Sequence, residues 1–245
     1  MSDASPAVSA AEAPISPVSA VVGTFSRPSE TFRSLVARPT WWLPLVIFLV
    51  VGISSSFLVR SKLDWEGAAQ DVIARRAASG RPIPAEAAPR IVSMIKISTM
   101  IAGPIFIVVT PFLVALLLWG GVKAFGGESG YGGVMAIVSH ANLTNVIGAL
   151  IGLPIFLSKE DGSVDLRRTW DVLTSSLASF LPENSGKVPV ALASSIELFM
   201  LAAIILTVVG LRRVPALPKY AAVVLPLVVW GIFIGIKVAG AVMGG

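Results

Sequence analysis

Residues 24–49, TFSRPSETFRSLVARPTWWLPLVIFL, decide the fold class. A short amphipathic segment stops at Pro39, because the residue before a proline avoids helical geometry. Ser26 or Ser29 can cap that segment, Pro28 suits a first helical turn, and Glu30 sits near the positive helix end. Phe32, Leu35 and Val36 share one face of it and Arg33 lies off that face. The pattern predicts a helix lying in a membrane interface, with Arg27, Arg33 and Arg38 at headgroup level and the apolar face toward acyl chains. Trp41 and Trp42 then open an uncharged run as an aromatic belt would. Phe32, Arg33, Arg38, Trp41 and Trp42 are therefore the expected interfacial anchor. Arg60 and Lys62 close the run, which leaves a first span of about 41–59, close to the roughly 20 residues that cross a 30 Å hydrocarbon core.

The same alternation recurs along the chain and predicts further spans at about 97–119, 134–157, 188–211 and 220–243. The intervening residues 63–94 are polar, with Leu63, Trp65, Val72 and Ile73 spaced for one amphipathic helix. Residues 120–133 form a glycine-rich turn. Leu166, Trp170, Leu173, Leu177 and Leu181 recur at helical spacing, which predicts a second surface-lying helix ended by Pro182. Arg212, Arg213, Pro215, Pro218 and Lys219 make a tight basic turn. Pro104 and Pro111 each remove a backbone donor from the second span and favour a kink there, read as packing. Residues 1–22 are Ala/Ser/Pro-rich, without a basic stretch followed by an apolar one, and are expected to be a disordered tail. Residues 23–245 would then be one membrane domain: an all-α integral membrane protein, a five-span helical bundle with an N-terminal interfacial helix. Five spans put the termini on opposite sides. Basic residues occur on both sides, so charge alone does not orient the chain. The absence of an export signal and the dense positive charge of 212–219 favour the N-terminus inside.

Composition agrees with lipid as the solvent. Only 13% of the 245 residues are charged and 55% are hydrophobic, with a mean hydropathy of +0.83; soluble chains run about 25% charged. Too few polar residues remain to coat a soluble core. The net charge of +5 sits between apolar runs and suits anionic headgroups, at about 1 kcal/mol per residue, rather than nucleic acid. The chain has no cysteine and one histidine, which excludes disulfide and thiolate chemistry and argues against a protein-built zinc site. No catalytic residue, metal or cofactor is expected.

The most polar stretch inside a span is SHANLTN. There His140, Asn142, Thr144 and Asn145 form the candidate intramembrane polar cluster, since polar groups in lipid need partners and often line pathways. Asn142 and Asn145 share one face and His140 and Thr144 another. Interhelical hydrogen bonding, a ligand or ion site, and a pH-sensing histidine are the three readings. Glu197 and Lys237 lie at matching depth in the last two spans and are the candidate intramembrane ion pair, because an unpaired charge there costs about 2.5–3.5 kcal/mol. Gly148-x-x-x-Gly152 and Gly231-x-x-x-Gly235-x-x-x-Ala239 are small-residue stripes open to packing within the chain or to dimerisation. Gly127-Glu128-Ser129-Gly130 matches the GxSG of intramembrane serine proteases. A continuous helix from Ser129 to His140 would separate the two by about 16 Å, too far for a catalytic pair. Beyond His140, Glu197 and Lys237 the spans offer almost no titratable chemistry, so an enzyme is not expected.

Three stretches resemble one family. FSRPSETFRSLVARPTWWLPL is similar to the approach to the first span in the Yip-one domain family, the Ypt/Rab-interacting membrane proteins and their bacterial relatives. MAIVSHANLTNVIGALIGL after a glycine-rich turn resembles that family's third span, and SSIELFMLAAIILTVVGLRRV its fourth. The resemblance covers about residues 20–243 and implies five spans. It departs where relatives carry a tyrosine and a proline in the third span and this chain has His140 and Thr144. The acidic N-terminal region that would meet a GTPase in eukaryotic relatives is also not visible in residues 1–22. The cysteine-free, Ala-rich chain looks like the bacterial branch, so a GTPase partner follows by family analogy only. The expected function is a non-enzymatic scaffold or adaptor of the bacterial cytoplasmic membrane. It would bind other membrane proteins, associate with itself or shape the bilayer; a small transporter or channel subunit is the alternative.

Overall fold

A computed structural model describes residues 15–166, 169, 175–182 and 185–243. In the described residues the chain forms ten α-helices: α1 Pro17–Ser26, α2 Pro28–Ala37, α3 Trp42–Leu58, α4 Trp65–Ala78, α5 Ala88–Ala124, α6 Tyr131–Ala141, α7 Leu143–Leu157, α8 Lys187–Ala193, α9 Leu198–Leu211 and α10 Ala221–Met243. Four stretches are long and apolar enough to cross a membrane: Trp42–Lys62, Ala88–Ala124, Tyr131–Leu157 and Ala221–Met243. In the third of these, 67% of the apolar window is buried, against 11%, 17% and 28% in the other three. The polar third span is therefore the centre of the bundle, and its neighbours present their apolar side chains outward, as helices solvated by lipid do.

The fourth expected span differs. Residues 188–211 are not one helix: α8 ends at Ala193, residues 194–197 leave helical geometry, and α9 begins with Glu197 as its N-cap. The Glu197 carboxylate accepts from the Met200 N–H at 2.8 Å, and capping of this kind starts a helix rather than continues one. α9 alone, at 14 residues, spans about 21 Å. Read as one apolar run, residues 188–211 had merged it with α8.

The N-terminal region also differs from its expectation. The presumed tail to Val22 includes α1, whose N-cap Ser16 accepts from the Ser19 N–H at 3.1 Å; residues 1–14 lie outside the described ones. α2 forms where expected, though Arg27 and neither Ser26 nor Ser29 stands at its N-cap, without a side-chain cap bond, and Phe32 and Leu35 are wholly buried in the protein core. A Cβ at Gly210 of α9 would stand 3.2 Å from Phe32 Cδ1, so that face meets α9 and α6 rather than acyl chains. Arg33 and Arg38 stay exposed, as do Trp41 and Trp42 at 36% and 54%.

Two connections meet at one end of the bundle. The Glu128 N–H of the α5–α6 turn donates to the Pro215 carbonyl of the α9–α10 turn at 2.8 Å. At another, Leu63 pairs with Val164, and Lys62 Nζ lies 2.7 Å from the Asp161 carboxylate. That contact, a hydrogen bond first and a charge attraction second, holds the exposed Asp161 carboxyl below the usual carboxylate range. The amphipathic helix expected in 63–94 appears as α4. The second surface helix does not appear in the described residues: Leu177–Phe180 is a single 3-10 turn, and Ser176 pairs in extended geometry with Glu197. Trp170 and Leu173 lie outside the described residues.

Candidate functional site

The third span turns at Asn142, between α6 and α7, and the polar cluster surrounds that turn. Each polar side chain upstream of it bonds one helical turn back, the usual way a hydroxyl or imidazole is satisfied inside a helix. Ser139 Oγ donates to the Met135 carbonyl. His140, with no exposed surface, places Nδ1 2.8 Å from the Ala136 carbonyl. A carbonyl only accepts, so Nδ1 carries the proton; Nε2 has no hydrogen-bond partner among the described residues. Thr144 Oγ1 lies 2.9 Å from both the Ala141 carbonyl and the Phe199 carbonyl. The first is on its own span and the second on α9, so this hydroxyl ties the two together. Asn145 Nδ2 donates to Asn142 Oδ1 at 2.9 Å, which joins the pair expected to share a face. His140 and Thr144 are both buried and bond to carbonyls instead of to one another.

Ser129 and His140 flank α6, one before its start and the other in its last turn. Ser129 Oγ instead donates to the neighbouring Gly130 carbonyl at 3.2 Å.

A cavity of about 840 Å³ lies between α5, α9 and α10, with Phe48 of α3 and Val138 and Ala141 of α6 also in its wall, and the turns of two interrupted helices reach it. Asn142 from the α6–α7 turn and Ser194, Ser195 and Glu197 from the α8–α9 break reach it, with Lys237 of α10. Phe106, Leu113, Leu118, Ile204 and Val229 line its apolar body. Asn145 is not part of the lining.

Irregular backbone at membrane depth survives only where protein or a cavity satisfies it, and several groups of the α8–α9 break find partners on other elements. Trp230 Nε1 donates to the Ser195 carbonyl at 3.3 Å. The Leu177 N–H donates to the Ile196 carbonyl, and the Leu198 N–H to the Ser175 carbonyl, both at 3.0 Å. Lys237 Nζ donates to Ser194 Oγ at 2.7 Å. Glu197 and Lys237 both line the cavity, but they were expected as a direct ion pair and are not one: Glu197 caps α9 and Lys237 bonds Ser194. Glu197 Oε1 is buried without a partner among the described residues.

Ser194, Ser195 and Trp230 escaped the sequence reading. The signal was present, since SSIE ahead of an apolar run is the composition of a helix start, but it sat inside a run read as one span.

The small-residue stripes separate. A Cβ at Gly148 would meet the Phe199 ring at 2.6 Å, so that glycine serves packing within the chain. Gly231 and Gly235 are exposed, with nothing within 4 Å of a Cβ at either.

The comparisons agree with this membrane architecture. Membrane protein YknW of Bacillus subtilis (strain 168) is similar, 22% identical over 213 residues that cover 86% of this chain and 85% of the relative. No solved structure matches. The Yip1 domain model matches residues 22–239, nearly the whole chain and all four long apolar stretches up to the last turn of α10. The chain is a membrane protein of the Yip1 domain family.

Proposed function

We propose that this chain is a non-enzymatic scaffold or adaptor of the bacterial cytoplasmic membrane, crossing it five times with its N-terminus inside. The observation that carries the reading is the outward stripe of α10. Gly231 and Gly235 lie one turn apart with open space before them. Small residues on a lipid-facing helix let a second helix approach closely, which is how helices associate where the hydrophobic effect gives no drive. The partner is then another transmembrane helix, from a second copy or from another membrane protein. Five crossings are supported by the meeting of the α5–α6 and α9–α10 turns. The chain leaves that end along α6 and α7 and returns to it along α9, so α8 and α9 together would be a broken fourth crossing.

The chain contains no cysteine, so single cysteines at the exposed Ile232 and Ile236 give a clean crosslinking readout in native membranes. The expected result is a crosslinked species that disappears when Gly231 and Gly235 are both replaced by Leu. No crosslink to itself or to any membrane protein, with or without those changes, overturns the reading. A small transporter or channel subunit is the second reading, supported by a cavity that reaches Asn142; solute flux in liposomes containing the purified chain tests it.

A further inference from the structure

We infer that residues 175–182 form a re-entrant segment. It lies in the hydrocarbon of the leaflet remote from the α9–α10 turn, where Leu177 and Phe180 contact acyl chains. This goes beyond the scaffold reading and rests only on α10 crossing the bilayer, not on any partner of the chain.

Bonds to α10 set the depth of the α8–α9 break. The 23 residues of α10 make about 34 Å of helix, against a hydrocarbon core of about 30 Å, so the midpoint at Ile232 falls near the bilayer centre. Trp230, whose indole donates to the Ser195 carbonyl, stands two residues before that midpoint. Lys237, which donates to Ser194 Oγ, stands five residues beyond it, about 8 Å. The break therefore lies within the hydrocarbon, in the half away from the α9–α10 turn. α8 agrees with that depth, since its seven residues from the exposed Lys187 to Ala193 carry the chain about 10 Å inward.

The segment is tied to the break at this level. Ser176 pairs with Glu197. The Leu177 N–H donates to the Ile196 carbonyl, and the Leu198 N–H to the Ser175 carbonyl, both at 3.0 Å. Because α9 runs from Leu198 toward the α9–α10 turn, these bonds hold residues 175–177 no shallower than the break itself. Before the segment, Val164 pairs with Leu63, just past the end of the first apolar stretch. After it, Lys187 opens α8. The excursion thus begins and ends on one side of the membrane.

Backbone groups in hydrocarbon need partners within the protein, and this segment supplies them. The Ala178 N–H donates to Ser176 Oγ, the Ser179 N–H to the Ser176 carbonyl, and the Leu181 N–H to the Ala178 carbonyl. Pro182 has no N–H to satisfy. The side chains sort in the same sense. Ser176 and Ala178 are buried, and Ser179 Oγ is covered by protein, while Leu177 and Phe180 are 50% and 77% exposed. Hydroxyls inward and apolar groups outward is the reverse of a loop in water. Leu198, joined to the segment through its backbone, is also exposed, so the outward apolar surface of α9 continues onto the segment.

The test uses nitroxide labels on single cysteines in the full-length chain, which has no cysteine of its own. Leu177→Cys, Phe180→Cys, Leu198→Cys and Glu160→Cys are labelled one at a time and reconstituted in vesicles of phosphatidylcholine and phosphatidylglycerol. Collision rates with oxygen, which concentrates in hydrocarbon, and with a water-soluble nickel chelate are then compared. Labels at 177 and 180 should give an oxygen-to-nickel ratio several-fold above that at the exposed Glu160 position and equal to that at 198. Both sites are exposed, and either decides alone if the other variant does not fold. Nickel contact at 177 and 180 as strong as at 160 would place the segment in water and overturns the proposal. Weak contact with both reagents would mean that protein covers the two side chains, and overturns it as well.

Discussion

Replacing Phe32 by alanine separates the two surfaces that α2 can face. Its ring has no exposed area and lies against Gly210 and the core of the bundle. A buried aromatic side chain removes about 150–250 Å² from solvent, worth roughly 4–6 kcal/mol at 25 cal/mol per Å² as an upper bound. Truncations of buried phenylalanine cost about 3–5 kcal/mol once the cavity is included. A loss of about 3 kcal/mol is therefore expected for Phe32→Ala, measured by equilibrium unfolding of the purified chain in mixed micelles with tryptophan fluorescence. Arg33→Ala, on the exposed side of the same helix, should stay within about 0.5 kcal/mol. A methyl at Gly210 would crowd Ile137 Cγ2 at 2.5 Å and Phe32 Cδ1 at 3.2 Å, so Gly210→Ala should cost about 1–3 kcal/mol by overpacking. Part of that cost should vanish beside Phe32→Ala, a coupling of at least about 0.5 kcal/mol. A loss under about 1 kcal/mol for Phe32→Ala, with weakened membrane association in its place, would return Phe32 to the acyl chains and refute the packing argument.

Gly148→Ala should destabilise by about 1–3 kcal/mol, because the new methyl meets the Phe199 ring at 2.6 Å; Gly231→Ala, with nothing within 4 Å, should be neutral in the same unfolding assay. Ser194→Ala and Lys237→Met should couple by about 0.5 kcal/mol or more in a double-mutant cycle, since their groups are 2.7 Å apart, and strict additivity would show that the contact contributes nothing. The Lys62–Asp161 contact lowers the folded-state pKa of Asp161, so its contribution is present above the ordinary carboxylate pKa of about 3.9 and is lost as pH falls through the lowered value. Hydrogen exchange at the Gly162 and Val164 amides, which bond to the Ser61 and Lys62 carbonyls at 2.9 Å, should accelerate over that acid range. Asp161→Asn should remove the dependence, and identical profiles in the two proteins would disprove the link.

Much of the candidate site was legible one residue at a time. SHANLTN was recognisable because five polar residues within seven break an apolar run, and the structure finds Asn142 bonded to Asn145, three residues on. Glu197 and Lys237 were placed at one depth by counting from the basic turn, and both reach the same cavity. Their partners were not legible. Ser194 lies three residues before Glu197 and forty-three before Lys237, and no periodicity within a span selects it over Ser195. The break at 194–197 was hidden for another reason: Ser194, Ser195 and Glu197 interrupt a long apolar run only briefly, whereas a side-chain cap needs only Glu197 and the Met200 N–H.

The sequence alone determined the solvent of this protein and its four long apolar helical stretches, because hydropathy is a sum over residues and depends on no contact. It also determined where polar groups would demand partners, since that demand follows from burial in lipid. Only the tertiary structure decided which apolar neighbour each face meets. Phe32 and Leu35 read as lipid-facing and are core; Gly231 and Gly235 read as either and face outward. In water an amphipathic pattern identifies its buried side, but at a membrane both protein and acyl chains are apolar, and the pattern is the same for each.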